Sequence, residues 1–165
     1  MQTMSYCLWF DGVAEEAASF YVSVFKDARI VNVSRYPEGS PGTPGTVMTV
    51  HFVLNGRDFL ALNGGPQYSF TPAISFVMTC DTQNEIDELW ELLTDGGQEV
   101  ACGWLTDRFG VSWQIVPRAL GEMMASPDSA ASQRAFLAMM EMKKLDLPAL
   151  RRAFEGTDTA NEAVA

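Results

Sequence analysis

No apolar run in this 165-residue sequence approaches the roughly 18 residues that a membrane-spanning helix needs. The first residues carry no basic stretch ahead of an apolar one, so no secretory signal is expected. Basic residues are few: 11 Lys and Arg against 21 Asp and Glu leave a net charge of −10. Nucleic-acid binders concentrate Lys and Arg to displace counterions, so neither nucleic acid nor a membrane is expected as a partner. The single histidine, His51, excludes a metal site built on two imidazoles. Three cysteines, Cys7, Cys80 and Cys102, are odd in number and far apart. That suits neither a disulfide framework nor a zinc site of close pairs. Buried free thiols in the reducing cytoplasm are the expectation.

What is present can build a core: 47% of the residues are hydrophobic and 11% aromatic, in a length that suits one domain. Residues 4–10 read as a buried strand. Beyond Asp11-Gly12, Val13, Ala17, Phe20, Tyr21 and Val24 recur at helical spacing. Ala28–Arg35 reads as a strand, and residues 36–45, with three prolines and three glycines, as a loop. The series Gly39-x-x-Gly42-x-x-Gly45 therefore belongs to a loop between strands, with no helix to make it a cofactor-binding turn. Residues 46–54 alternate, with Met48, Val50, Phe52 and Leu54 on one face and Val47, Thr49, His51 and Val53 on the other. Asn55-Gly56 closes a hairpin onto residues 57–62.

The second half repeats this plan. Residues 73–80 read as a strand, Thr82-x-x-Glu85 as a capping box, and Ile86, Leu89, Trp90 and Leu93 as a helix face stopped by Gly96-Gly97. Strands over 99–106 and 111–117 flank a turn at 107–110, where Asp107 and Arg108 read as a surface ion pair. Asp11 and Asp81 end corresponding strands, and Phe20 and Trp90 each follow nine residues later. A strand, a helix and three strands thus occur twice, as modules over 4–63 and 73–117. A helical extension over 118–156 includes a helix at 129–144 bearing Phe136, Met139 and Met140. Asp146-Leu147-Pro148 opens a shorter helix, and residues 157–165 are expected to be disordered.

Several segments carry a family resemblance: Trp9-Phe10-Asp11-Gly12 with Glu15-Glu16-Ala17 and Phe20-Tyr21; Leu62-Asn63-Gly64-Gly65-Pro66; Gly103-Trp104-Leu105 with Asp107-Arg108-Phe109-Gly110; and Ser112-Trp113-Gln114-Ile115-Val116-Pro117. The tail from Met139 to Asp146 resembles the same group, which extends the likeness to about Gly156. The sequence resembles the PhnB-like proteins of the glyoxalase and bleomycin-resistance (vicinal-oxygen-chelate) superfamily, a group partly labelled 3-demethylubiquinone-9 3-methyltransferase. The resemblance implies an α+β fold of two βαβββ modules forming a curved-sheet cup, plus C-terminal helices. Superfamily enzymes hold a divalent metal in that cup through His, Glu or Gln. The resemblance puts those positions at Tyr6, Ala73 and Gln114, so no metal and no other cofactor is expected.

The cup lining implied by alternation is Tyr6, Leu8 and Phe10 with Ser75, Val77, Ser112 and Gln114, the composition of a small-molecule pocket. Trp104 offers a stacking surface for an aromatic ligand. His51 is either a base for neutral pH or a hydrogen-bonded strand residue. The candidate ligand-binding set is Tyr6, Leu8, Phe10, His51, Ser75, Trp104 and Gln114. The expected function is metal-free binding of a small molecule. A metal-independent enzyme acting through His51, Tyr6 or Gln114 is the alternative, and the methyltransferase of the family label stands third. Superfamily habit and the apolar tail also imply a homodimer.

Overall fold

In the computed structural model, which describes residues 2–157, the chain divides between Phe70 and Thr71 into two compact units. The first opens with β1 (Tyr6–Phe10), α1 (Ala14–Val24) and β2 (Ala28–Arg35) and continues with β3 (Val47–Leu54) and β4 (Arg57–Asn63). Its sheet runs β1-β4-β3-β2, with β1 parallel to β4. The Asn55-Gly56 turn forms as expected because both residues take positive φ, 47° and 71°. Asn63 ties the unit together from the end of β4. Its amide oxygen accepts from the Ala14 N–H at 2.9 Å and its amide nitrogen donates to the Val47 carbonyl at 3.0 Å.

The second unit carries β5 (Phe76–Cys80), α2 (Gln83–Thr94), β6 (Gln98–Glu99), β7 (Trp104–Thr106) and β8 (Ser112–Pro117). The order β5-β8-β7-β6, with β5 parallel to β8, repeats that of the first sheet. The twofold βαβββ plan expected from the sequence is therefore present. The capping box on α2 is complete: Thr82 Oγ1 accepts from the Glu85 N–H at 3.2 Å, and Glu85 Oε2 accepts from the Thr82 N–H at 3.1 Å.

Several expected boundaries shift for identifiable reasons. The strand over 73–80 begins only at Phe76, because the Ala73 and Ile74 N–H groups turn back to Thr71. The strand over 99–106 is broken at 100–103. There the Cys102 and Gly103 N–H groups leave the sheet to donate to the Met142 and Lys143 carbonyls, both at 2.7 Å. Asp107 is not the surface carboxylate expected of an Asp107–Arg108 ion pair. Arg108 pairs with Asp95, while Asp107 is buried and accepts from Phe109 N–H (2.9 Å), Val111 N–H (3.0 Å) and Trp113 Nε1 (2.8 Å).

Three helices complete the unit: α3 (Arg118–Met124), α4 (Ser129–Met140) and α5 (Leu147–Glu155). They close on a core of Leu120, Met123, Ala135, Leu145 and Leu150, with Met139 packed against it. The helix expected over 129–144 stops at Met140, since the carbonyls of residues 142 and 143 serve the 100–103 turn instead. Asp146 caps α5 by accepting from the Ala149 N–H at 2.8 Å, and Gly156 ends it at φ 73°. Of the tail expected to be disordered, only Thr157 lies within the described residues, and its N–H donates to the Arg152 carbonyl at 3.0 Å. Among the described residues no helix is long and apolar enough to cross a membrane.

All three thiols are free, but only Cys80 is buried as expected; Cys102 is half-buried and Cys7 exposed. Burial, aided by the Glu85 and Asp81 carboxylates, pushes the Cys80 thiol up to about 11 from an ordinary 9.0. The fold therefore favours the neutral thiol. Its contribution to stability is intact below pH 9.0 and is lost as pH rises toward about 11. Cys80→Ala is expected to show a shallower loss of melting temperature across that window. Equal slopes for variant and parent would refute the assignment.

Candidate functional site

Each sheet buries one face against its own helix, so the chemistry available to a ligand is set by which side chains fall on the other face. In module one the register pairs Tyr6 with Phe59, Leu8 with Ala61 and Phe10 with Asn63. Phe59 stacks on Phe52 at 5.3 Å, and Phe52 stacks on Tyr21 of α1 at 6.1 Å. Tyr6 leans on Phe59 at 5.1 Å. Tyr6, Leu8 and Phe10 do share a face, as expected, but it is the helix-packed face, where Leu8 and Phe10 are 7% and 3% exposed. The expectation that they line an open face is corrected accordingly.

The open face of module one carries the alternate residues: Cys7 and Trp9 on β1, Leu60 and Leu62 on β4, and Thr49 and His51 on β3. His51 Nε2 lies 2.8 Å from Asp58 Oδ1 on the neighbouring strand. The histidine is thus a half-buried, hydrogen-bonded strand residue with a fixed ring nitrogen. Trp9 Nε1 donates to the Gly65 carbonyl at 2.8 Å. Its ring lies so close to Gly64 that a Cβ there would stand 2.2 Å from it. Sequence reasoning missed Trp9 and Asp58 as members of this face. The signal was the polar pair Thr49 and His51, whose parity passes through the register to β4 and then β1.

Module two brings its three predicted residues together. Gln114 pairs with Val77 on one side and Trp104 on the other, and its Nε2 donates to Ser75 Oγ at 2.9 Å. Val77, in the same row, is 56% exposed. Trp113, Leu105 and Ile115 occupy the buried face, with Phe76 packed on Trp113 at 5.2 Å. The Gln114 amide oxygen accepts from no group among the described residues, and the Ser75 hydroxyl donates to none. The open face therefore presents an acceptor and a donor beside an indole.

The superfamily's divalent metal does not fit this donor set. Tyr6 turns its phenol toward Phe59, Ala73 has no donor atom, and Gln114 is a neutral amide already bonded to Ser75. Among the described residues no three His, Cys, Asp or Glu side chains stand close enough to hold an ion. Nothing in this set offsets the charge of a dehydrated divalent cation.

Residues 2–116 match the profile of the family described as 3-demethylubiquinone-9 3-methyltransferase. The chain belongs to this family. A PhnB protein from Bacillus cereus is 39% identical, superimposes with a TM-score of 0.64, and aligns over 70% of this chain and 99% of its own. Protein PA1353 from Pseudomonas aeruginosa is 21% identical, with a TM-score of 0.59 over 71% and 98% of the two chains. The fosfomycin resistance protein FosX from Mesorhizobium loti is 14% identical, with a TM-score of 0.55 over 76% and 98%. Those last two are likenesses of fold. No curated protein matches the sequence. The PhnB-like assignment is thus established and the glyoxalase-like likeness is one of fold, while the family profile ends at residue 116, short of the Gly156 expected from the tail. Helices α3 to α5 lie beyond it.

Proposed function

We propose that this PhnB-like chain is a metal-free binding protein for a small, partly aromatic molecule held on the open face of module two. The observation that carries this reading is the Gln114–Ser75 hydrogen bond beside Trp104. A polar pair bonded to itself on an exposed sheet face keeps one acceptor and one donor for a ligand, and the indole supplies a flat apolar surface. Small-molecule sites combine a few placed polar groups with an aromatic lining in this way. A ligand that binds only the native state, at about 100 times its Kd, stabilises it by about 2.7 kcal/mol. A thermal-shift screen of metabolites is therefore expected to yield a hit. For that hit, Gln114→Ala and Trp104→Ala each weaken binding by about tenfold or more, about 1.4 kcal/mol. A hit whose affinity neither substitution changes would place the site elsewhere and end this reading.

The His51–Asp58 pair supports a second reading, a metal-independent enzyme. A carboxylate bonded to one ring nitrogen orients the ring and leaves the other nitrogen to face a ligand. Turnover of the screened ligand, abolished by His51→Gln with binding retained, would favour it. The methyl transfer in the family's name stands third. The three strand–helix junctions among the described residues, Asp11-Gly12-Val13, Asp81-Thr82 and Pro117-Arg118, together contain one glycine rather than a phosphate-cradling series.

The reading includes a homodimer in the cytoplasm. Three thiols without a disulfide support the compartment. The outward stripe of α4 supports the dimer: Phe136, Leu137 and Met140 are 46%, 56% and 49% exposed. Light scattering after gel filtration is expected to give twice the chain mass, and Leu137→Glu to give the monomer. A parent chain that is monomeric at every concentration sinks the dimer.

A further inference from the structure

The segments Asp11-Gly12 with Glu15 and Asn63-Gly64-Gly65 carry much of the family resemblance, yet the open sheet faces account for none of their charged side chains. They line a cavity of about 720 Å³ within module one, together with Arg35, Tyr36 and Gln67. Its walls are fixed by bonds already on the backbone. The Tyr36 hydroxyl donates to the Asn63 carbonyl at 2.5 Å, and Arg35 Nη1 donates to the Gly45 carbonyl at 3.1 Å. Gly42 packs against the Tyr36 ring so closely that a Cβ there would stand 2.5 Å from it, which holds the 36–46 loop over the tyrosine.

The charges are the informative part. Asp11, Glu15 and Arg35 all line this cavity, but no ion pair joins the guanidinium to either carboxylate. Neither carboxylate has a hydrogen-bond partner among the described residues. A bare cation would meet Arg35, and a phosphate would meet two carboxylates. A molecule carrying both charges satisfies both walls. We propose that this cavity binds a small zwitterion of the amino-acid or short-peptide class, its ammonium toward Asp11 and Glu15 and its carboxylate toward Arg35. The volume lies in the usual range for small-molecule sites and exceeds what a single glycine needs, which favours the longer members of the class. This site is separate from the one proposed on module two, so either can fail without the other.

The test is a chemical-shift titration of the whole chain with glycine, γ-aminobutyrate, ε-aminocaproate and triglycine, with butylamine and butyrate as single-charge controls. At least one of the longer zwitterions is expected to shift resonances of residues 11–15, 35–36 and 63–67, with each control weaker by about tenfold or more. Arg35→Gln and Asp11→Asn, both at exposed positions, are each expected to lower that affinity by about tenfold, and Asp11→Asn, which removes no hydrogen bond, to leave the melting temperature unchanged. Three outcomes overturn the proposal. One is that none of the four zwitterions produces a shift up to tens of millimolar. The others are that the controls bind as well, or that the shifts survive both substitutions.

Discussion

Asp107→Asn is expected to lower the stability of the chain by about 2–4 kcal/mol, because each buried donor left unsatisfied costs about 1–3 kcal/mol. The carboxylate accepts with both oxygens, two backbone N–H groups on Oδ1 and the Trp113 indole on Oδ2. An amide has one oxygen, so at least one donor must face an NH₂ group in a site 3% exposed to solvent. Urea unfolding read by tryptophan fluorescence measures the loss. The neighbouring Arg108 supplies the contrast. Its pair with Asp95 is exposed, so Arg108→Ala is expected to cost less than about 1 kcal/mol. Equal costs at 107 and 108 would mean that the turn, rather than the buried carboxylate, carries the effect.

Gly103→Ala is the second large effect, about 2–4 kcal/mol. Two penalties coincide there. The residue sits at φ 82°, and a Cβ would stand 2.8 Å from the Ile115 carbonyl oxygen and 3.0 Å from Leu145. A backbone oxygen in β8 does not rotate away as a side chain does, so the strand itself must move. Gly12→Ala isolates the first penalty, since φ there is 79° with nothing within 4 Å of the added carbon, and about 1 kcal/mol is expected. Melting both variants beside the parent chain measures the difference. A Gly103→Ala variant no worse than Gly12→Ala would show that β8 yields without cost.

Local chemistry was legible wherever neighbours in sequence are neighbours in space. The Asn55-Gly56 turn, the Thr82/Glu85 box and the Asp146 cap each act within a few residues, and each stands where the sequence placed it. Alternation was legible on β3 because Thr49 and His51 contrast with Val50 and Phe52. It was illegible on β1, where Tyr6-Cys7-Leu8-Trp9-Phe10 is apolar on both sides and only pairing with Phe59 and Asn63 decides which side meets the helix. That ambiguity misplaced Tyr6, Leu8 and Phe10. In module two, by contrast, Gln114 marked its own face, and Ser75 and Trp104 followed. The end of α4 and the break at 100–103 were hidden because one long-range exchange of hydrogen bonds sets both. Asp107 was hidden because a turn aspartate and a buried anchor look alike until Trp113 is seen to reach it.

That long-range exchange also gives the C-terminal helices a voice in the proposed binding face. The Met142 and Lys143 carbonyls hold the two residues immediately before Trp104, and Leu145 sits against Gly103. The segment that joins α4 to α5 therefore acts as a latch on the strand that presents the indole. Anything that loads or loosens α4, whether a second subunit on its apolar stripe or a cut in the chain after Met140, would be transmitted to Trp104 through two hydrogen bonds. The part of the molecule beyond the family profile is thus placed to tune the proposed site.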